Sequence, residues 1–331
     1  MHHDKDGIQI AFTGDVMLGR LVNNVLSFDR YTYVWCDTLQ MMRETDLSLI
    51  NLECVISSKG REWKKTWKPF HFHADPDAIE VLKTVSIDYV SLANNHTLDY
   101  ESEALIEMLK LLEKNKIAYS GAGRNLQEAM SPAILQAKKV KVGIVSLTDN
   151  QPEWEAKPDS PGVNFIPLIL ENDYDNRLEE CIKDAKIRSD IVVVACHIGP
   201  HFREVPSRAY INFAHHIIDL GADVYWGHSN HMPQGIEIYK NKLIMYDCGD
   251  FINDYAIDPD YRNDLSFLFL VNLTKNNVKE IELVPIKISE FKACTAPPWD
   301  ADFIIQRMVN QCKILGTDTV IKNRRLFISI K

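Results

Sequence analysis

Nothing in this sequence supplies a zinc ribbon, a membrane span or an internal repeat. Its seven cysteines include no C-x-x-C pair, which removes the usual ligand spacing of a structural zinc site. Seven is an odd number, and a chain of 331 residues buries a core large enough to do without disulfide staples. Reduced thiols in a cytosolic protein are therefore expected. Cys196, after the run Val192-Val193-Val194-Ala195, reads as a small buried hydrophobe. No apolar run approaches the roughly 18 residues that suggest a bilayer span. The start, Met1-His2-His3-Asp4-Lys5-Asp6-Gly7, lacks the basic and apolar regions of a secretory signal, so a cytoplasmic location is expected. Positive charge is also short, with 37 basic against 46 acidic residues and a formal charge of −9. That balance is a poor match for nucleic acid or an anionic membrane, both of which call for a basic face.

What is present is an ordinary globular composition, 46% hydrophobic and 25% charged, which excludes a disordered or coiled-coil chain. Short β-rich runs alternate with longer amphipathic stretches, the pattern of βαβ construction. Helices are predicted over 76–84, 101–115, 171–187 and 206–220. In the second, Leu105, Met108, Leu109, Leu111 and Leu112 recur at helical spacing. Asp75-Pro76 supplies a helix start. From 234 to 288 the text is strand-like, with hairpin turns at Lys240-Asn241 and Lys275–Asn277. An antiparallel meander is expected there, then a helix near 300–315 and a short tail. The proline-rich stretch Pro152–Pro167 reads as a surface loop. No linker divides the chain. Residues 1–290 are expected to form the main domain, with 291–331 as an extension packed on it.

Five apolar runs end in chemistry. Ile8–Phe12 leads into Gly14-Asp15, Leu47–Ile50 into Asn51-Leu52-Glu53, and Tyr89–Ala93 into Asn94-Asn95-His96. Ile191–Cys196 ends in His197, and Val224–Trp226 in Gly227-His228-Ser229-Asn230-His231. If the runs are neighbouring parallel strands, their C-terminal ends form one rim, where ligand sites of open α/β sheets lie. Imidazoles and carboxylates delivered together suit Zn, Mn or Fe, as one or two divalent ions. A lone His or Gly-Asp carries little weight; five such endings on one side do.

These blocks resemble the bacterial capsule-synthesis CapA family, also called the poly-γ-glutamate synthesis proteins. The blocks are Gly14-Asp15-Val16-Met17-Leu18-Gly19-Arg20, Asn51-Leu52-Glu53, Ala93-Asn94-Asn95-His96-Thr97-Leu98-Asp99-Tyr100, Gly121-Ala122-Gly123-Arg124-Asn125, His197-Ile198-Gly199 and Gly227-His228 through Gln234-Gly235. They run in order over roughly residues 8–255. The resemblance implies a calcineurin-like metallophosphoesterase fold, a four-layer α/β/β/α sandwich with mixed sheets around a dinuclear metal site. It implies Asp15 and His231 on a first metal, Glu53 bridging, and Asn95, His197 and His228 on a second. His96 is then the proton-transferring histidine, Asp99 its orienting carboxylate, and Arg20 a clamp for a carboxylate or phosphate. Departures from the family pattern are Met17 where phosphoesterases carry a second ligand, Ile198 for an aromatic, Ser229-Asn230 for His-Pro, and Asp250 for asparagine.

Other features fall outside these blocks. Arg61-Glu62-Trp63-Lys64-Lys65-Thr66-Trp67-Lys68 is basic and aromatic, and Trp63, Lys65 and Trp67 are candidates for a substrate wall of exposed tryptophans. His201 and Arg203, in the loop after His197, are candidate substrate contacts. Phe70-His71-Phe72-His73 alternates as a strand would, with the histidines on one face. Gly121-Ala122-Gly123 fails as a dinucleotide loop because Leu126 stands at the third glycine. The expected function is a divalent-metal-dependent hydrolase or proton-abstracting enzyme acting on a peptide or poly-γ-glutamate-type amide. The alternatives are a phosphoesterase, a peptide epimerase, and a non-catalytic polyanion-binding protein of capsule biosynthesis. An anionic small molecule or polymer is the expected partner.

Overall fold

The computed structural model describes residues 7–26, 28 and 31–330, apart from the side chain of Asn172. The opening segment read for a signal lies, up to Asp6, outside the described residues. Among the described residues no helix is long and apolar enough to cross a membrane.

Two β-sheets face each other. The larger has ten strands, with Ile8–Val16 central. On one side of it run Leu47–Leu52, Tyr89–Ser91 and Ala118–Ser120, all parallel. On the other side are Leu265–Leu273 and Val278–Ser289, antiparallel. The smaller sheet has six strands. Its middle is Val140–Thr148, Ile191–His197 and Val224–His228, again parallel. These central strands read as continuous apolar runs because both of their faces are covered. Between the sheets Ile10, Phe12 and Leu49 pack with Ile144, Val193 and Trp226. The outer face of the large sheet packs on helices Ile79–Thr84 and Glu101–Lys114 through Val81, Leu82, Leu105 and Met108. The outer face of the small sheet packs on Asn172–Arg188 and Arg208–Asp219 through Leu178, Ile182, Phe213 and Ile217. The result is the expected α/β/β/α sandwich with mixed sheets. Helix Glu101–Lys114 starts with two acidic residues and ends in Lys114, complementing its dipole. Ser207 caps Arg208–Asp219 by accepting from the Tyr210 N–H at 3.2 Å.

Several local expectations change. The five runs end on two sheets, not one, so the rim is a seam between the sheets. The region 234–288 is no single meander. The hairpin Ile236–Tyr239 and Lys242–Met245 belongs to the small sheet, while Leu265–Leu273 and Val278–Ser289 belong to the large one. The tail is itself a hairpin, Val320–Lys322 and Arg325–Ser329, paired to Val278–Ser289. The proline-rich stretch holds buried Trp154 and the short strand Gly162–Val163. Alternation at 70–73 makes only the two-residue strand His73–Ala74, because His71 and His73 turn to backbone carbonyls of Trp63 and Ser57.

The expectation of reduced thiols fails at one pair. Cys36 and Cys294 form a disulfide across 258 residues. Buried Val34 and Trp35 seat the turn before Cys36 against the strand Lys292–Thr295, which Asp37 also holds through the Thr295 N–H at 2.8 Å. The other five cysteines are buried thiols.

Candidate metal centre and comparison with known proteins

The strand Ile8–Val16 delivers Asp15, and its geometry depends on Gly14. A Cβ there would sit 1.8 Å from the Gly249 carbonyl oxygen. That close approach lets the Asp15 N–H donate to Gly249 at 2.9 Å. It also makes Asp250, on the parallel strand Asp250–Ile252, the register partner of Asp15. Glu53 follows Leu47–Leu52 and is fully buried. His231 comes from the turn after Val224–His228, with φ of 62°, a left-handed backbone that costs a non-glycine residue about 1–3 kcal/mol. Asn230 holds that turn. It takes an N–H from Arg203 at 2.6 Å and donates to the Arg203 and Met232 carbonyls. One ligating atom each from Asp15, Glu53, His231 and Asp250 lies within 4.8 Å of all the others. This buried acidic and histidine group can hold a metal ion.

A second set adjoins it. His197 and His228 are register partners on neighbouring strands, their rings stacked with centroids 6.4 Å apart. His197 Nε2 lies 3.9 Å from Glu53 Oε1, and its Nδ1 lies 4.0 Å from Asp15 Oδ1. Glu53 therefore stands between the two sets. The same Glu53 oxygen is 3.9 Å from His96 Nε2. His96 Nδ1 meets Asp99 Oδ2 at 2.5 Å, which turns Nε2 toward Glu53 and the centre.

The fit to a cation is tested by what the donors lack. Asp15 Oδ2, Glu53 Oε1, Asn95 Oδ1, Asp250 Oδ2 and both ring nitrogens of His228 are buried with no hydrogen-bond partner among the described residues. Buried polar atoms are otherwise almost always paired. Electrostatics agree. Burial, with Glu53 and Asp250 nearby, raises Asp15 well above the carboxylate range. Burial raises Glu53 to about 7 against the opposing pull of His231. It lowers His228 to about 3 and holds His96 and His197 well below the imidazole range. Burial alone would also lower His231, but Asp250, Glu53 and Asp15 outweigh it and raise it to about 10. The donors fit a divalent cation, which would remove this crowding of like charge.

Some residues of the site were not singled out from the sequence. Asn51 donates to Asp15 Oδ1 at 2.7 Å and meets His197 Nδ1 at 3.2 Å, and Asn94 donates to Asn51 Oδ1. Tyr255 donates to Glu53 Oε2 at 2.8 Å. Phe72 stacks on His96, with ring centroids 3.8 Å apart, and its N–H donates to Asp99 at 2.6 Å. Lys68 is buried against Asp99. Met17, at the departed ligand position, is buried, and its sulfur accepts from the Gly19 N–H.

The rim is built differently from the expected wall. Trp63 is buried, donates to Thr66 and packs edge-on against Trp154. Of these two wall tryptophans, Trp67 is the exposed one. Lys65 lies over the Trp63 ring, 3.7 Å from Glu101. The Arg20 guanidinium lies 5.4 Å from the Phe72 ring centroid, its Nε held by Asp254 at 3.1 Å. His201 is exposed, with its ring centroid 4.5 Å from that of His231, and the Arg203 side chain is exposed beyond it.

The family model described as bacterial capsule synthesis protein PGA_cap matches residues 9–255, which contain every residue of this centre. The chain belongs to the PGA_cap family. Relatives of this PGA_cap chain carry polyglutamine-synthesis, PGA-biosynthesis or capsule-biosynthesis names. A probable polyglutamine synthesis accessory protein of Mycobacterium tuberculosis is 29% identical over 92% of this chain and 91% of its own length. The PGA biosynthesis protein CapA of Bacillus subtilis is 28% identical, covering 93% of this chain and 78% of its own. The capsule biosynthesis protein CapA of Bacillus anthracis is 25% identical, covering 87% and 69%.

Proposed function

We propose that this PGA_cap protein serves capsule or poly-γ-glutamate metabolism as a divalent-metal-dependent enzyme acting on an amide of a poly-γ-glutamate-type or peptide substrate. The observation that carries the reading is the set of buried, unpaired carboxylate, amide and imidazole atoms beside the His96–Asp99 pair. The capsule names of the relatives support the substrate class. Asp15, Glu53, His231 and Asp250 would hold one ion, and Asn95, His197 and His228 would hold a second. Mixed imidazole and carboxylate donors suit Mn²⁺, Zn²⁺ or Fe²⁺. The chemistry such an ion would supply is polarisation of an amide carbonyl and acidification of a nearby water.

The chain's own residues do the rest. Asp99 holds the His96 ring so that Nε2 faces the centre and moves the proton to or from the reacting amide. Tyr255 fixes the Glu53 carboxylate. Arg20, over the Phe70 and Phe72 rings, and the exposed Trp67, His201 and Arg203 offer cationic and flat surfaces to a carboxylate-bearing chain. The test is metal analysis, followed by incubation with poly-γ-glutamate and a γ-glutamyl peptide in Mn²⁺. Shortening of the polymer that is lost in His96→Ala is the expected result. A protein that binds none of the three metals and leaves both amides intact overturns the reading. Turnover of an aryl phosphate instead would assign a phosphoesterase, and deuterium uptake into the peptide without cleavage an epimerase.

A further inference from the structure

Lys68 presents a problem of burial. Its side chain is 6% exposed, although a lysine on a surface loop can ordinarily keep its ammonium in water while its stem lies on the protein. Here the ammonium points inward. Nζ donates to the Asn95 backbone carbonyl at 2.6 Å and lies 3.3 Å from Asp99 Oδ1. The Trp154 ring covers it, with its centroid at 5.3 Å. A buried cation is tolerated only when paired and hydrogen-bonded, and both partners belong to the segment that carries His96.

The two carboxylate oxygens of Asp99 are divided. Oδ2 takes His96 Nδ1 and the Phe72 N–H. Oδ1 has no hydrogen-bond partner among the described residues and faces the Lys68 ammonium. The Asn95 carbonyl belongs to the residue whose side-chain oxygen is buried without a hydrogen-bond partner among the described residues. We infer that Lys68 is a positioning residue for the proton-transfer step. By holding Asn95 and Asp99 together, it fixes the His96 ring relative to the metal-ligating amide. It also anchors the loop that displays Trp67 and Phe70 at the rim. The catalytic part of this inference rests on the proton-transfer role of His96 proposed above; the positioning part does not.

The experiment reads the two parts separately. In full-length protein with Zn²⁺ present, the His96 Nδ1 proton gives a far-downfield NMR resonance, assigned by its loss in His96→Ala. Lys68→Met is expected to shift or broaden that resonance. It should also lower kcat on a γ-glutamyl amide about 10–100-fold, the usual effect of removing an outer-shell partner, with KM changed less than about twofold. Lys68→Arg, which keeps the charge and donors, is expected to restore the resonance and part of kcat. If Lys68→Met does not fold, Lys68→Gln is read in its place. A folded variant with an unchanged resonance overturns the inference and leaves Lys68 as packing. A resonance that moves as expected in a protein without amide turnover upholds the positioning role and sinks the hydrolase reading instead.

Discussion

Asp250 accepts from His231 Nδ1 at 2.9 Å while standing in strand register beside Asp15. One acid therefore both orients the His231 imidazole and places a second carboxylate at the centre. Asp250→Asn keeps the shape and removes the charge. Mn²⁺ affinity measured by calorimetry is expected to fall about 10–100-fold, while the metal-free protein becomes no less stable because like-charge crowding with Asp15 and Glu53 is relieved. Undiminished affinity would show that Asp250 only orients the ring.

The titrations set a pH window. Burial raises Glu53, Asp99 and Asp247 to about 7 each, above their unfolded values. Their contribution to stability is therefore present at low pH and lost as pH rises through about 7. His228, lowered to about 3, has the opposite sign: its contribution is present above about 6.5 and lost as pH falls toward 3. With three raised carboxylates against one lowered imidazole, the metal-free Tm should fall as pH rises from about 4.5 to 7. Zn²⁺ should raise Tm most on the alkaline side, where the carboxylates no longer hold protons that compete with the ion. A metal-free Tm that is flat from about pH 4.5 to 7 would contradict these assignments.

Gly14 supports the whole centre without touching an ion. Ala at this position would drive its Cβ to 1.8 Å from the Gly249 carbonyl, and backbone cannot swing aside as a side chain can. Gly14→Ala is expected to cost about 3 kcal/mol or more and to abolish Mn²⁺ binding, both read from denaturant unfolding with and without the ion. A wild-type midpoint would show that the two strands have room to part.

Much of the centre was legible because parallel strands present their C-terminal ends together. Asp15, Glu53, His197 and His228 each follow an apolar run, so strand pattern and site pattern coincide. Tyr255 and Lys68 carry no such mark. Tyr255 reaches Glu53 across 202 residues, and Lys68 lies in a loop whose basic and aromatic composition pointed outward to solvent. Phe72 was read as the far face of a strand, yet it stacks on His96 because its histidine neighbours find backbone partners instead. Local strand character was equally readable in Lys242–Tyr246 and Leu265–Leu273, but which sheet each joins depends on packing partners distant in sequence.

The disulfide is the farthest-reaching of these contacts. An odd cysteine count without paired spacing carries no signal for joining Cys36 to Cys294, whose Cα atoms lie 5.2 Å apart in the fold. The bond ties the turn after Trp35 to the strand Lys292–Thr295, and so joins the first part of the chain to the segment beyond residue 290. Closing so long a loop restricts the unfolded chain, which stabilises the native state by roughly 2–5 kcal/mol when strain is small. Reductant should therefore lower Tm by several degrees in wild type. A Cys36→Ser/Cys294→Ser variant should melt at the reduced value and ignore reductant, while Mn²⁺ binding persists in both because neither sulfur belongs to the centre. Identical melting in oxidised and reduced wild type would show that the bond adds nothing to native stability.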